Sequence, residues 1–147
     1  MGRESFAGKI VVGVDGSPAS IEALKQGWSI AGAMGSELVA VACWAFPQVY
    51  GGYVAMGVED YEEEARGILE ESLSQAFGPS VPEKVSPRLL CGPVRDLLID
   101  ASRDADMLVV GRRGHGGFAG LLLGSVSSAC VAHALCPVLV VHASESS

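Results

Sequence analysis

A glycine-rich stretch, residues 111–125, combines residue types and spacing that are suited to binding phosphate. It follows the apolar run 107–110 and ends at Ser125, where a segment with helical spacing begins. The order predicts a strand, a glycine-rich loop and a helix. Glycine allows backbone N–H groups to approach an anion closely, and the first turn of a helix adds unpaired N–H donors and a positive dipole end. We therefore expect a nucleotide- or phosphate-binding domain.

Two common phosphate motifs do not fit this stretch. A Walker A loop requires a lysine before its Ser or Thr, and Gly124-Ser125 lacks one. Residues 114–119 match the looser GxGxxA dinucleotide pattern, but no acidic residue follows about twenty positions later to bind a ribose. The motif also lies in the last strand-to-helix connection, whereas NAD is bound by the first. What remains is the spacing G-x2-G-x9-G-S, formed by Gly111, Gly114, Gly124 and Ser125.

The composition limits the class of protein. The 147 residues are 49% hydrophobic and 18% charged, and we expect a single globular domain over residues 1–147. The first residues lack the apolar core of a secretory signal, and no apolar run approaches the about 18 residues of a membrane span. We therefore expect a soluble cytoplasmic protein. A net charge of −7 argues against binding to nucleic acid or to an anionic membrane.

The four cysteines, Cys43, Cys91, Cys130 and Cys136, lie in or beside apolar segments and form no CxxC pair. We interpret them as reduced core thiols of a cytoplasmic protein. Cys130, His133 and Cys136 are spaced three apart, which leaves a metal site as the alternative. Three ligands are one fewer than a structural zinc site uses, and a helix end beside Pro137 further disfavours it.

Strands and helices alternate along the whole chain. Continuous apolar runs predict strands buried on both faces at 9–14, Glu37–Trp44, 107–110 and 137–142. The strand Val85–Cys91 contains Pro87, which cannot donate to a ladder and so predicts a sheet edge. Apolar stripes predict helices at 18–34, Val58–Phe77, 94–101 and 125–135. The alternation predicts an open, doubly wound, five-stranded parallel sheet with helices on both faces.

Local signals refine this arrangement. Ser17 followed by Pro18 predicts the start of the first helix and Gly35 its end. Ser125 is expected to cap the fourth helix. The irregular segment 45–57 is longer than most connections in α/β proteins, and the sequence does not decide between a lid and a packed surface loop. The acidic run 59–64 is interpreted as a solvated helix face.

The chain resembles the universal stress proteins, in the UspA-like branch whose members bind ATP. The resemblance is carried by residues 11–17, by the glycine spacing of 111–125 and by residues 136–141. Residues 116–127 resemble actinobacterial members in particular. The resemblance implies a Rossmann-like fold of the adenine nucleotide alpha hydrolase type. One departure is Arg112, which stands where many relatives have serine and adds positive charge near a polyphosphate.

The resemblance also implies a binding site for ATP and Mg²⁺. Asp15 is implied to meet the ribose and the metal, Gly13 and Val14 to line the base, and the Cys43 backbone to contact the adenine edge. Phosphate contacts are implied for two groups: Gly111, Arg113 and Gly114 at the ribose and inner phosphates, and Gly124, Ser125, Val126 and Ser127 at the outer phosphates. Asp15, Cys43 and Gly111 each close a predicted strand, where open α/β sheets bind ligands.

The resemblance implies a nucleotide-dependent stress-response or signalling module that forms a homodimer through Val138–Val141. An alternative is an ATP-hydrolysing or adenylyl-handling enzyme of the same fold. Hydrolysis requires a group that positions water and charge around the γ-phosphate, and Asp15 and Arg113 come with no separate base, so we expect slow or absent turnover. A third possibility is an interaction module with an empty pocket, against which the intact glycine pattern argues.

Overall fold

The structure is a computed structural model and describes residues 5–45, 58–112 and 124–143. Strands and helices alternate through these ranges, as the sequence predicts. In chain order the elements are β1 (Lys9–Gly13), α1 (Pro18–Met34), β2 (Glu37–Trp44), α2 (Val58–Phe77), β3 (Val85–Cys91), α3 (Val94–Ala101), β4 (Met107–Gly111), α4 (Ser125–His133) and β5 (Val138–Val141). The largest difference from the predicted bounds is at α4, which ends at His133 because Ala134 adopts an extended conformation.

The strands form one five-stranded sheet in the order β3-β2-β1-β4-β5, and all four neighbouring pairs are parallel. The predicted fold class is therefore confirmed. Strand β3 lies at one edge, as Pro87 indicated, and pairs there with β2 so that Pro87 stands opposite Ala40. Strand β5 lies at the other edge and pairs with β4.

Apolar side chains cover both faces of the sheet, because successive strand residues point to opposite sides. Ile10 and Val12 pack in one cluster with Leu24 of α1 and Leu69 of α2. Val11 packs in a second cluster on the other face, with Leu98 of α3 and Cys130 of α4 as members. Helices α1 and α2 therefore cover one face, and α3 and α4 cover the other. This double cover explains why the central strands have no polar alternation.

The strand order places a topological switch point between β1 and β4. The chain leaves β1 through α1 toward β2 and β3, and it returns through α3 to pair β4 with the opposite side of β1. Val12 stands opposite Val109 in that pairing. Connections on the two sides diverge here, and open α/β sheets bind ligands in a crevice at such a point, beyond the carboxyl ends of the strands. Within the described ranges, no helix combines the length and apolar character needed to cross a membrane.

Candidate functional site

The turn from β1 to α1 presents a carboxylate at the carboxyl edge of the sheet. Asp15 is exposed, and its Oδ1 accepts the N–H of Ser17 at 2.9 Å. This local bond is the Asx turn that aspartate favours between a strand and a helix. The preceding N–H, from Val14, donates to the Val41 carbonyl of β2 at 2.8 Å. The position of the Asp15 carboxylate is thus set by both its own turn and the neighbouring strand.

Two buried serines complete this turn. Ser17 caps α1 as predicted, because its side chain accepts the N–H of Ser20 at 3.2 Å. The hydroxyl of Ser20 donates to the Ser17 carbonyl at 3.0 Å and accepts the N–H of Asp15 at 3.3 Å. Ser20 was not singled out in the sequence, although its place three residues after an N-cap is a usable signal. These local bonds fix the conformation of the turn.

Gly111, at the end of β4, packs directly against the first turn of α1. A Cβ atom at Gly111 would lie 2.8 Å from the Cβ of Ala19, 3.1 Å from its carbonyl carbon and 3.2 Å from the backbone N of Ser20. Two of these atoms belong to the backbone and cannot move aside cheaply. Gly111 is required for packing, a reason that the sequence did not reveal. A Cβ at Gly13 would meet Leu98 at 3.0 Å, a side chain that can adjust.

The two ends of the connection from β4 to α4 are hydrogen-bonded to each other. The carbonyl of Arg112 accepts the N–H of Gly124 at 2.8 Å and the hydroxyl of Ser127 at 2.7 Å. The N–H of Arg112 donates to the Val141 carbonyl of β5 at 2.7 Å, and its Nη1 lies 3.1 Å from Nδ1 of His142. Arg112, which directly follows β4, is thereby held to both α4 and β5.

The first turn of α4 has no side-chain cap from its N-cap residue. Gly124 occupies the N-cap position with φ −75° and ψ 173°, and Ser125 is the first helical residue. The expectation that Ser125 caps this helix is therefore wrong, because the chain enters the helix one residue earlier. Since glycine has no side chain, the N-cap leaves the N–H groups of the first turn to another acceptor. A helix start of this kind attracts an anion.

The end of β2 reaches the same edge of the sheet. Cys43 is half-buried, stands opposite Leu90 in the pairing with β3, and lies in the last residues of the strand. Burial raises the pKa of its thiol to about 12, so the thiol stays protonated at neutral pH. Continuing the pairing of Gly13 with Val41 brings Asp15 level with Cys43.

The structure therefore brings most of the predicted site residues to one edge of the sheet. These residues are Gly13, Val14, Asp15, Cys43, Gly111, Gly124, Ser125, Val126 and Ser127. Ser125 is exposed, Val126 half-buried and Ser127 buried. Arg113 and Gly114, together with most of the 45–57 segment, lie outside the described residues.

The burial and surroundings of the cysteines bear on the two interpretations given to them, a metal site and reduced core thiols. Among residues 5–45, 58–112 and 124–143, no group of three or more Cys, His, Asp or Glu side chains is arranged to hold a metal ion. His133 is exposed, whereas Cys130 is buried, which raises its pKa to about 11. Cys91 is exposed and so is not a core thiol, because it ends the edge strand β3.

The family model for universal stress proteins matches residues 7–142 of the chain. This chain belongs to the universal stress protein family. A universal stress protein from Mycolicibacterium smegmatis is 38% identical over 136 residues, which is 90% of this chain and 45% of that protein. The match confirms the resemblance to actinobacterial members. The chain spans less than half the length of this curated relative.

Solved universal stress proteins share the fold. One in complex with cAMP has a TM-score of 0.69 and 30% identity, with 95% of this chain and 100% of the solved chain covered. Another, from Archaeoglobus fulgidus in complex with dAMP, has a TM-score of 0.54 and 19% identity, covering 92% and 98% of the two chains. At that lower identity the likeness concerns the fold alone.

Proposed function

We propose that this universal stress protein binds ATP with Mg²⁺ and acts as a nucleotide-dependent stress-response or signalling module. The observation that carries the proposal is the start of α4, which has a glycine N-cap and is held to the end of β4 through the Arg112 carbonyl. This arrangement places backbone donors beside the switch-point crevice, where a polyphosphate can accept from them. A solved relative at 30% identity is in complex with cAMP, which supports an adenine nucleotide as the ligand class.

The proposed contacts divide along the edge of the sheet. Near β1 and β2, Gly13, Val14 and the Cys43 backbone contact the base, while Asp15 contacts the ribose and the metal. Near β4 and α4, backbone donors contact the phosphates. The residues proposed for the ribose and inner phosphates are Gly111, Arg113 and Gly114, and those for the outer phosphates are Gly124, Ser125, Val126 and Ser127.

Asp15 is suited to a metal that arrives with a nucleotide. Its carboxylate is exposed at the crevice, and the single bond from Ser17 leaves further acceptor capacity on its two oxygens. Mg²⁺ at nucleotide sites usually keeps several waters and takes only one or two carboxylates in addition to phosphate oxygens. One aspartate is therefore enough protein ligand for a magnesium–ATP complex.

ATP is proposed over cAMP because the proposed phosphate contacts form two groups, one for the inner and one for the outer phosphates. The end of β4 offers one group of phosphate contacts and the start of α4 offers another. A cyclic monophosphate has a single phosphate and would use only one group. ATP should therefore bind more tightly than cAMP, and weakening α4 contacts should affect ATP more.

Strand β5 provides the proposed dimer surface. Among the described residues it pairs with β4 on one side only, and Val138, Leu139 and Val140 are half-buried in the single chain. An apolar edge strand favours pairing with another strand, and a second copy of β5 would satisfy it symmetrically. We propose a cytoplasmic homodimer. Equilibrium sedimentation that shows only monomer would contradict this part.

Hydrolysis is proposed to be slow or absent. Among the described residues, Asp15 is the carboxylate assigned to this site, and its proposed partners are the metal and the ribose. Efficient phosphoryl transfer also needs a group that orients the attacking water. Steady-state hydrolysis at about 1 s⁻¹ or faster, abolished by Asp15→Ala, would instead favour the enzyme alternative.

The decisive experiment starts with protein purified without added nucleotide. Denaturation followed by chromatography and mass measurement identifies any released ligand, and calorimetry then measures binding of magnesium–ATP and of cAMP. Gly124→Glu places a negative charge at the helix start and should abolish binding of ATP. Gly32→Glu is the matched control, since it makes the same charge change on the exposed surface of α1, at the opposite end of that helix from the crevice.

Wild-type protein that releases no nucleotide and titrates with neither ligand would overturn the proposal. Loss of binding in both glutamate variants would also count against it, because the effect would then come from net charge and not from the site. Retention in Gly32→Glu and loss in Gly124→Glu is the expected result.

A further inference from the structure

We infer that Ser127 is a positioning residue, whose hydroxyl fixes the first turn of α4 to the end of β4 and does not itself bind phosphate. The inference deepens the proposed function and depends on it. Ser127 is only 2% exposed. Its Oγ donates to the Arg112 carbonyl at 2.7 Å and lies 3.2 Å from the Gly124 carbonyl.

The single proton of the Ser127 hydroxyl distinguishes between positioning the helix start and binding phosphate. A serine hydroxyl has one proton to donate, and a contact with a phosphate oxygen requires that proton. In Ser127 the Arg112 carbonyl accepts that proton at 2.7 Å, and the Gly124 carbonyl is a longer second acceptor at 3.2 Å. The lone pairs that remain would face a phosphate oxygen as acceptor against acceptor, which is repulsive. The contribution of Ser127 to phosphate binding must therefore come through its backbone N–H.

The Arg112 carbonyl is a rigid anchor for this bond. Its two lone pairs are both used, by the N–H of Gly124 and by Ser127. The residue before it, Gly111, packs against α1, and the N–H of Arg112 is bonded to β5. The start of α4 is therefore bonded to a residue of the sheet edge that is itself held by α1 and β5. Losing one of the two bonds would let the helix start shift relative to β4.

Ser125 is the matched comparison on the same helix. It is exposed at the first helical position, two residues before Ser127. Its hydroxyl is therefore placed to meet a ligand from solution. If Ser125 contacts the outermost phosphate and Ser127 positions the whole turn, the two alanine variants should differ in which nucleotides they affect.

The test measures the affinities of magnesium–ATP, ADP and AMP by calorimetry. Ser127→Ala should weaken all three by a similar factor of about five to ten, the loss of one buried hydrogen bond. Ser125→Ala should weaken ATP and leave AMP within about twofold. Ser127→Thr should bind within about twofold of wild type, because threonine keeps a hydroxyl that can donate to the Arg112 carbonyl. Ser127→Cys, similar in size but a weak donor, should resemble Ser127→Ala and serves if the alanine variant folds poorly.

A second measurement does not depend on any ligand. The amide of Gly124 donates to the same carbonyl as Ser127, so Ser127→Ala should accelerate its hydrogen exchange by about tenfold. The amide of Val14, bonded to Val41 in the other connection, is the internal control and should exchange as in wild type.

Loss confined to ATP in Ser127→Ala would overturn the inference in favour of a direct phosphate contact. Unchanged affinities for all three nucleotides, or unchanged exchange at Gly124, would overturn it as well. If wild-type protein binds no nucleotide, the proposed function fails, and the exchange measurement alone confirms or overturns the anchor.

Discussion

The connections β1–α1 and β4–α4 leave the sheet at the same edge, yet they treat the start of their helices in opposite ways. Helix α1 is capped by Ser17, with Ser20 and Asp15 completing the hydrogen bonds of the turn. Helix α4 has Gly124 as its N-cap and is tied to the sheet from inside by Ser127. Both helices have positive N-terminal ends. Only the second leaves first-turn donors without a capping side chain, so the two ends differ in their availability to an anion.

The difference suits a ligand with two chemically distinct ends. The β1–α1 turn presents a carboxylate, which attracts a cation and hydroxyl groups. The β4–α4 connection presents backbone N–H groups, which attract phosphate. In a magnesium nucleotide the phosphates hold the metal, so in the proposed site the carboxylate of the first connection would meet the metal and the ribose, while the donors of the second connection would meet the phosphates directly.

The largest expected effect comes from the contact that joins the two connections. Gly111→Ala would push a methyl group into the backbone of α1, and we expect it to lower the free energy of unfolding by about 3 kcal/mol. Urea denaturation measures this change. A loss below about 0.5 kcal/mol would show that the two connections adjust independently. Their relative position would then not be fixed by this contact.

A smaller effect is expected when the charge of the β1–α1 turn is removed. Asp15→Asn keeps an oxygen for the Ser17 N–H, so the turn and the thermal stability should be retained. Magnesium–ATP should bind about ten- to a hundredfold more weakly, since one charge-assisted interaction contributes about 1.5–3 kcal/mol. Calorimetry with and without Mg²⁺ measures the affinity for ATP in both proteins. Equal weakening in the absence of the metal would show that the carboxylate does not act through magnesium.

The two caps should then separate stability from binding. Ser17→Ala removes the side-chain cap of α1 and should cost about 1 kcal/mol of unfolding free energy. Ser125→Ala removes no cap and should leave the unfolding free energy within about 0.5 kcal/mol, while it weakens ATP binding. Paired denaturation and titration curves measure both quantities. A stability loss in Ser125→Ala equal to that in Ser17→Ala would remove the distinction between a capped and an uncapped helix start.

The smallest expected effect is a gain in the free energy of unfolding. Gly32 lies on the exposed side of α1 with open space around its Cβ position, and Gly32→Ala should stabilise the protein by about 0.5–1 kcal/mol through higher helix propensity. Denaturation measures the gain beside Gly111→Ala as its control. A loss of stability at Gly32 would mean that small changes in α1 disturb the packing at Gly111, and the large effect predicted there would no longer be local.

The sequence determined the order of the elements and the class of the fold. Continuous apolar runs required strands covered on both faces, and Pro87 could be accommodated at an edge because it lacks an N–H. Ser17, Pro18 and Gly35 marked the ends of α1 correctly, since capping depends on residues that are neighbours in the chain. The glycine spacing indicated where the connection between β4 and α4 begins and ends.

Only the tertiary structure decided which of these signals serve packing and which face the crevice. Gly111 is needed against Ala19, and Ser127 bonds a carbonyl 15 residues earlier in the chain. Ser125, the expected cap, lies one position inside the helix. These outcomes depend on how β4, α1 and α4 meet, because a contact between elements distant in sequence leaves no local pattern of spacing or propensity from which to predict it.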